Sequence, residues 1–82
     1  MLTGTVIFSE WQGNYYDCWV DGSYEGLIAP GGYLYAYGVS LGYHSLYADY
    51  VSGGGTGWGN NYTDTYYVSS GSQYWDFNRY NP

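Results

Sequence analysis

The side chains able to do chemistry are few. His44 is the single histidine and Cys18 the single cysteine, while carboxyl groups stand at Glu10, Asp17, Asp21, Glu25, Asp49, Asp64 and Asp76. Nucleophilic catalysis needs a hydroxyl or thiol, a base beside it and a group that orients the base. His44 is the only histidine base on offer, and neither a GxSxG elbow nor a Cys-His signature accompanies it. It is expected to be a half-buried strand residue bonded to the backbone. A glycosidase needs two carboxyl groups across a cleft. Seven acids in so short a chain form pairs by chance, and 82 residues leave no room for a deep enzymatic cleft. The expectation is a protein that is not an enzyme.

Metal chemistry fares no better. One His with one Cys makes no zinc site. Oxygen ligands for calcium exist at Asn60, Asn61 and Asp64, or at Asp17 and Asp21, but without EF-hand spacing. Turn and cap roles account for them more simply, so no metal and no cofactor is expected. Asn61-Tyr62-Thr63 is a formal glycosylation sequon, which matters only in a secreted eukaryotic setting.

Charge narrows the partners. Arg79 is the only Lys or Arg, and the formal charge is −6. One cation cannot neutralise a phosphate backbone, which argues against nucleic acid, and attraction to anionic lipid fails for the same reason. No apolar run approaches the length that spans a membrane. The sequence also opens with no charged-then-apolar leader.

What the chain has in excess is aromatic surface: 14 Tyr, 4 Trp and 2 Phe, or 24% of its residues. Disordered chains are poor in aromatics, so a fold is expected. Aromatic and β-branched residues, with Gly every few positions, favour strands over helices. In Tyr33-Leu34-Tyr35-Ala36-Tyr37-Gly38 the tyrosines recur at every second position, so in a strand Tyr33, Tyr35 and Tyr37 share one face. One core in 82 residues cannot hold all these rings. Phe8, Trp19, Trp75 or Phe77 and several tyrosines are expected inside. The Tyr33, Tyr35, Tyr37 face is expected to be displayed or covered by a partner, neighboured by Tyr47 and Tyr15.

The elements that must position these rings are short. Strands are expected at Thr3 to Ser9, Tyr15 to Val20, Tyr24 to Ile28, Tyr33 to Val39, His44 to Val51, Tyr62 to Val68 and Gln73 to Arg79. Asp21-Gly22 is a hairpin signal. Ala29-Pro30-Gly31-Gly32 and Ser52 to Gly59, with Trp58 near its end, read as loops. Along the second strand Tyr16, Cys18 and Val20 are the inward set, because the other set carries Asp17. In His44 to Val51, Asp49 marks the set Ser45, Tyr47, Asp49, Val51 as the wetter one. Buried in its strand, Cys18 is expected to act as a small hydrophobe. Six or seven short strands at regular spacing describe an all-β fold: a small antiparallel β-sandwich, one domain over residues 1–82.

Three stretches resemble the PEGA family of small extracellular β-sandwich domains. They are Gly4-Thr5-Val6-Ile7-Phe8-Ser9, the hairpin Trp19-Val20-Asp21-Gly22-Ser23-Tyr24-Glu25-Gly26, and Val39-Ser40-Leu41-Gly42-Tyr43-His44-Ser45-Leu46-Tyr47-Ala48. The likeness runs over Thr3 to Tyr50, and the Pro-Glu-Gly-Ala signature itself is absent, with Ala29-Pro30-Gly31-Gly32 the nearest stretch. The resemblance implies a non-catalytic accessory domain, extracellular or at the cell surface, with His44 structural at the start of a strand.

The residues expected to meet a partner are Tyr33, Tyr35, Tyr37, Tyr47 and Trp58. The first reading is a structural or adhesion module that assembles with copies of itself, as an oligomer or filament, through tyrosine-rich faces and strand edges that almost no Lys guards. The alternative is a carbohydrate-binding module, its rings stacking on a glycan while Asp49, Asn60 or Gln73 bond hydroxyls. A protease inhibitor or phage surface protein stands as a third reading.

Overall fold

The computed structural model describes residues 2–79. Seven strands form in chain order: β1 (Thr3–Ser9), β2 (Tyr15–Val20), β3 (Ser23–Ile28), β4 (Tyr33–Ser40), β5 (Gly42–Ser52), β6 (Tyr62–Val68) and β7 (Gly71–Trp75). No helix occurs among the described residues. The strands make two sheets, ordered β4-β1-β7 and β3-β2-β5-β6, with every pairing antiparallel except β1 with β7. The fold is an all-β sandwich.

Local chemistry explains the turns. Asp21 and Gly22 sit at φ of 50° and 79° between the paired residues Val20 and Ser23. Positive φ at both central positions is the two-residue turn whose twist matches a hairpin, and Asp-Gly is the pair that tolerates it best. In β4 the register against β1 slips between Gly4 and Val6, and Gly38 takes φ 67° at the resulting bulge. The extra residue lets Ala36 and Val39, three apart, both face the core.

Between the sheets the expected alternation is realised. Val6 and Phe8 face Tyr16, Cys18, Val20, Leu46 and Ala48, with Ile28, Val68, Trp75 and Phe77 completing the core. Fully burying such a side chain contributes about 1.5–3 kcal/mol. Edge-on ring packing ties the middle together: Phe8 to Trp75 at 5.4 Å and Tyr16 to Phe77 at 5.0 Å between centroids.

Two expectations are corrected. Trp19 is not core: it alternates with the buried Cys18 and Val20 and lies half-exposed on the outer face. The last strand does not reach Arg79 but stops at Trp75: the chain turns, Arg79 N–H donating to the Asp76 carbonyl, and Asn78 bonds Glu10 and the Trp11 N–H instead of a neighbouring strand.

Candidate functional site

Rings displayed on the two sheets form separate surfaces. On the β4-β1-β7 sheet Tyr33, Tyr35 and Tyr37 from β4 share the outer face with Tyr74 of β7, Tyr35 and Tyr74 both registering with Ile7. Tyr33 and Tyr37 are 55% and 75% exposed. Tyr35 and Tyr37 stack with rings 15° apart in plane and 5.8 Å between centroids, and Tyr33 meets Tyr74 edge-on at 6.1 Å. Ile7 points the same way by alternation with Val6 and Phe8, yet is only 3% exposed. The tyrosines roof it over, so this face carries a thin apolar layer of its own.

On the β3-β2-β5-β6 sheet a second row crosses three strands. Trp19 lies between Tyr24 of β3 and Tyr47 of β5, its register partners, at 5.3 Å and 5.5 Å. The Tyr24 hydroxyl donates to Asp17 Oδ1 at 2.7 Å, which raises the phenol's pKa. Tyr47 is raised as well, by burial first and then by Asp49. A hollow of about 420 Å³ opens beside Trp19 and Tyr47, with Ser45 and Thr63 on its walls.

The expected partner-binding set is thus divided. Tyr33, Tyr35 and Tyr37 come together, but Tyr47 and Tyr15 belong to the opposite sheet and do not neighbour them, which corrects the sequence reading. Trp58, 73% exposed, stands apart in the loop after β5, its ring 6.0 Å from Tyr50.

A third feature lies at one end of the sandwich, around Glu10. Its carboxylate is 3% exposed and accepts four hydrogen bonds. Oε1 accepts from the N–H groups of Gly13 (2.9 Å) and Gly31 (2.7 Å), and Oε2 from Gln12 N–H (2.8 Å) and the Asn78 amide (2.8 Å). The β1–β2 turn, the β3–β4 loop and the segment after β7 therefore converge on one side chain. Asn78, fully buried, also accepts from Trp11 N–H at 2.8 Å. Against this floor stand Trp11, Tyr33 and Tyr74. Two adjoining hollows, of about 470 and 270 Å³, share Ser9, Trp11 and Tyr33 as walls. The Arg79 guanidinium lies 4.2 Å from the Trp11 ring centroid and 3.7 Å from the Asp76 carboxylate.

His44 has partners that look like a triad but cannot act as one. Ser40 Oγ lies 3.1 Å from Nε2, and Nδ1 contacts Asp21 Oδ2. However, Nε2 is also 2.7 Å from the Ser40 carbonyl oxygen, which can only accept. Nε2 must therefore carry a proton and has no lone pair for a serine hydroxyl. The bond to Asp21 raises the His44 pKa most, burial opposes it, and the Ser40 carbonyl adds to the rise. The ring is a charged clamp between the β2–β3 hairpin and the end of β4.

Two of the oxygen side chains considered for calcium have structural work. Asn61 Oδ1 accepts from Tyr50 N–H at 2.9 Å, and Asp21 Oδ1 accepts from Ser45 N–H at 2.8 Å. Among the described residues no group of three or more His, Cys, Asp or Glu is placed to hold a metal, and no helix is long and apolar enough to cross a membrane. Sequence reasoning missed Glu10, Asn78, Trp11 and Tyr74. The one signal was an acid opening the turn Glu10-Trp11-Gln12-Gly13-Asn14. Comparison with protein-family models, with curated proteins and with solved structures finds no match to this chain.

Proposed function

We propose that this chain is a non-catalytic structural or adhesion module, extracellular or at the cell surface in the manner its PEGA-like stretches imply, that assembles with copies of itself. The observation that carries the reading is the display of two aromatic rows on the outer faces of opposite sheets, Tyr33–Tyr35–Tyr37 with Tyr74 and Tyr24–Trp19–Tyr47. A contiguous aromatic patch marks an interaction surface, and patches facing opposite ways let each copy hold two others.

Strand edges support the same reading. The four edge strands are β3, β4, β6 and β7. Charge guards two of them, Glu25 in β3 and Asp64 in β6, whereas β4 has eight residues and no charge. An uncharged edge bordered by tyrosines is the natural place for a second copy's strand. The charge of −6 on each copy opposes close approach, so assembly should strengthen with salt.

The test is sedimentation velocity with negative-stain electron microscopy over a concentration and salt series, on the parent chain and on Tyr35→Ser. Growth into dimers or larger particles at high protein and salt, lost in Tyr35→Ser with the strand signature in circular dichroism retained, is expected. A parent chain that stays monomeric to millimolar concentration in 0.5 M salt overturns the reading.

A further inference from the structure

We propose that the cleft walled by Trp11, Tyr33 and Tyr74 binds a neutral pyranose glycan. This goes beyond self-assembly, since of the tyrosine row only Tyr33 and Tyr74 reach the cleft, and Trp19, Tyr24 and Tyr47 have no part in it.

Ring type comes first. A pyranose presents flat C–H faces and a girdle of hydroxyls, so its receptor needs aromatic walls and fixed polar groups at their edges. The Trp11 and Tyr33 rings line both hollows, and Tyr74, edge-on to Tyr33, continues the wall of the smaller. Asp76, whose carboxylate can accept hydrogen bonds from sugar hydroxyls, lines the rim beside Arg79. The larger hollow, about 470 Å³, is within the ~300–1,000 Å³ range typical of small-molecule sites.

Rigidity comes second. Glu10 fixes the turn that carries Trp11 and the loop that leads to Tyr33, and Asn78 holds the Trp11 backbone from below. The walls are ordered before any ligand arrives, so binding costs little further loop entropy.

Charge decides the class of sugar. The only Lys or Arg in the chain is Arg79, and Asp76 lies 3.7 Å from it, so the rim is locally balanced. The remaining field is that of a chain with a formal charge of −6, which repels polyanions. Uronate-rich and sulfated glycans are disfavoured, and neutral hexose or pentose chains are left. A protein partner is the less apt occupant, because the two hollows lie at the loop end of the sandwich and take in only Tyr33 and Tyr74 of the tyrosine row, leaving Tyr35 and Tyr37 outside.

The experiment is a titration of the ¹⁵N-labelled 82-residue chain, at a concentration where sedimentation shows a monomer. The probes are cellohexaose, xylohexaose, mannohexaose, maltohexaose and a β-1,3-linked glucohexaose at millimolar levels, with galacturonate oligomers as the acidic counterpart. At least one neutral oligomer is expected to shift the Trp11 indole N–H together with the Tyr33 and Tyr74 amides. Trp11→Ala and Tyr74→Ala should each weaken that binding by about tenfold, the loss of one aromatic anchor, and Tyr37→Ala, outside the cleft, by less than about twofold. All three positions are exposed, so folding is not at stake. Shifts with none of the neutral oligomers, shifts with galacturonate alone, or shifts centred on Trp19 and Tyr47 would overturn the assignment. Because the chain is monomeric throughout, failure of self-assembly leaves the outcome intact.

Discussion

Glu10→Gln should be the most damaging near-isosteric change in the protein. A carboxylate has two accepting oxygens and an amide has one, so in either orientation of the new side chain an NH₂ faces two donors. It faces Gly13 and Gly31 N–H in one orientation, or Gln12 N–H and the Asn78 amide in the other. The three backbone donors are only part-buried, so each one orphaned costs about 1 kcal/mol, the low end for an unmade bond, which places the loss at about 2 kcal/mol for the pair. A domain this small has ~5–15 kcal/mol in all. Urea unfolding followed by tryptophan fluorescence at pH 7 measures it: with m of about 1 kcal/mol/M the midpoint should fall by roughly 2 M at unchanged slope. Acid provides a second arm. Burial alone would raise the Glu10 pKa, but the bonds from Gly31, Asn78, Gln12 and Gly13 outweigh it and hold it below the ordinary 4.5. A depressed folded pKa means stability fully present above 4.5 and lost as pH falls through the folded value, so the parent should approach the variant on acidification. A midpoint loss below about 1 M at pH 7, or a gap that widens in acid, would refute the idea that these loops hang on one carboxylate.

Other perturbations test the remaining parts. His44 has a raised folded pKa, so its contribution is whole below the ordinary 6.5 and lost as pH rises through the folded value. Unfolding free energy from urea titrations should decline gently above pH 6.5, by less than about 1 kcal/mol because Asp21 is half-exposed, and His44→Gln should flatten the profile; a rise with pH would contradict the clamp. Burial first, then Asp17, push the Cys18 thiol up to about 12. Ellman's reagent at pH 8 should leave the folded chain unmodified and react fully in denaturant, and rapid labelling of the native protein would disprove the burial. Gly55→Ala would drive a methyl into the Gln12 backbone carbonyl oxygen and should cost about 1–3 kcal/mol, whereas Gly54→Ala meets nothing and serves as the neutral control. Equal melting temperatures for the two would show that the loop after β5 does not rest on the β1–β2 turn.

Strands were readable because two-residue periodicity is a local property. Tyr16, Cys18 and Val20 alternate with Asp17, and Leu46 and Ala48 with Asp49, so one acid in each strand marks the outside. Asp21-Gly22 announced its hairpin because few residue pairs accept its backbone angles. Alternation, however, says nothing about which sheet a strand joins. The loop between β3 and β4 carries the chain across the sandwich, where β4 pairs with β1 rather than with β2 or β5. That crossing separates Tyr33, Tyr35 and Tyr37 from Tyr47. Scarcity of Leu and Ile argues for Trp19 inside, but its own strand pattern sets it with Asp17, and the pattern prevails. The Glu10 cluster was hidden for a different reason: Glu10 and Asn78 are 68 positions apart, and a buried acid in a turn reads like any solvated one until its donors are known.

The surplus of tyrosine has two uses, which the hydroxyls separate. Tyr16, Tyr50, Tyr62 and Tyr66 place their rings in or against the core while their hydroxyls bond the rim. Tyr50 donates to the Gly53 carbonyl at 2.6 Å, Tyr66 to the Tyr74 carbonyl at 2.9 Å and Tyr62 to Gln12 Oε1 at 3.4 Å, while the Tyr16 hydroxyl receives the Asn78 amide at 3.4 Å. A Phe in these places would fill the same space and lose these bonds, so the phenols let a core with so little Leu and Ile reach outward to the groups around it. Among the described residues Tyr33, Tyr35 and Tyr37 have no hydroxyl tether of this kind. Their rings are exposed and packed against one another and Tyr74 above Ile7, so what they add to the fold is the cover of that side chain rather than the tying of loops.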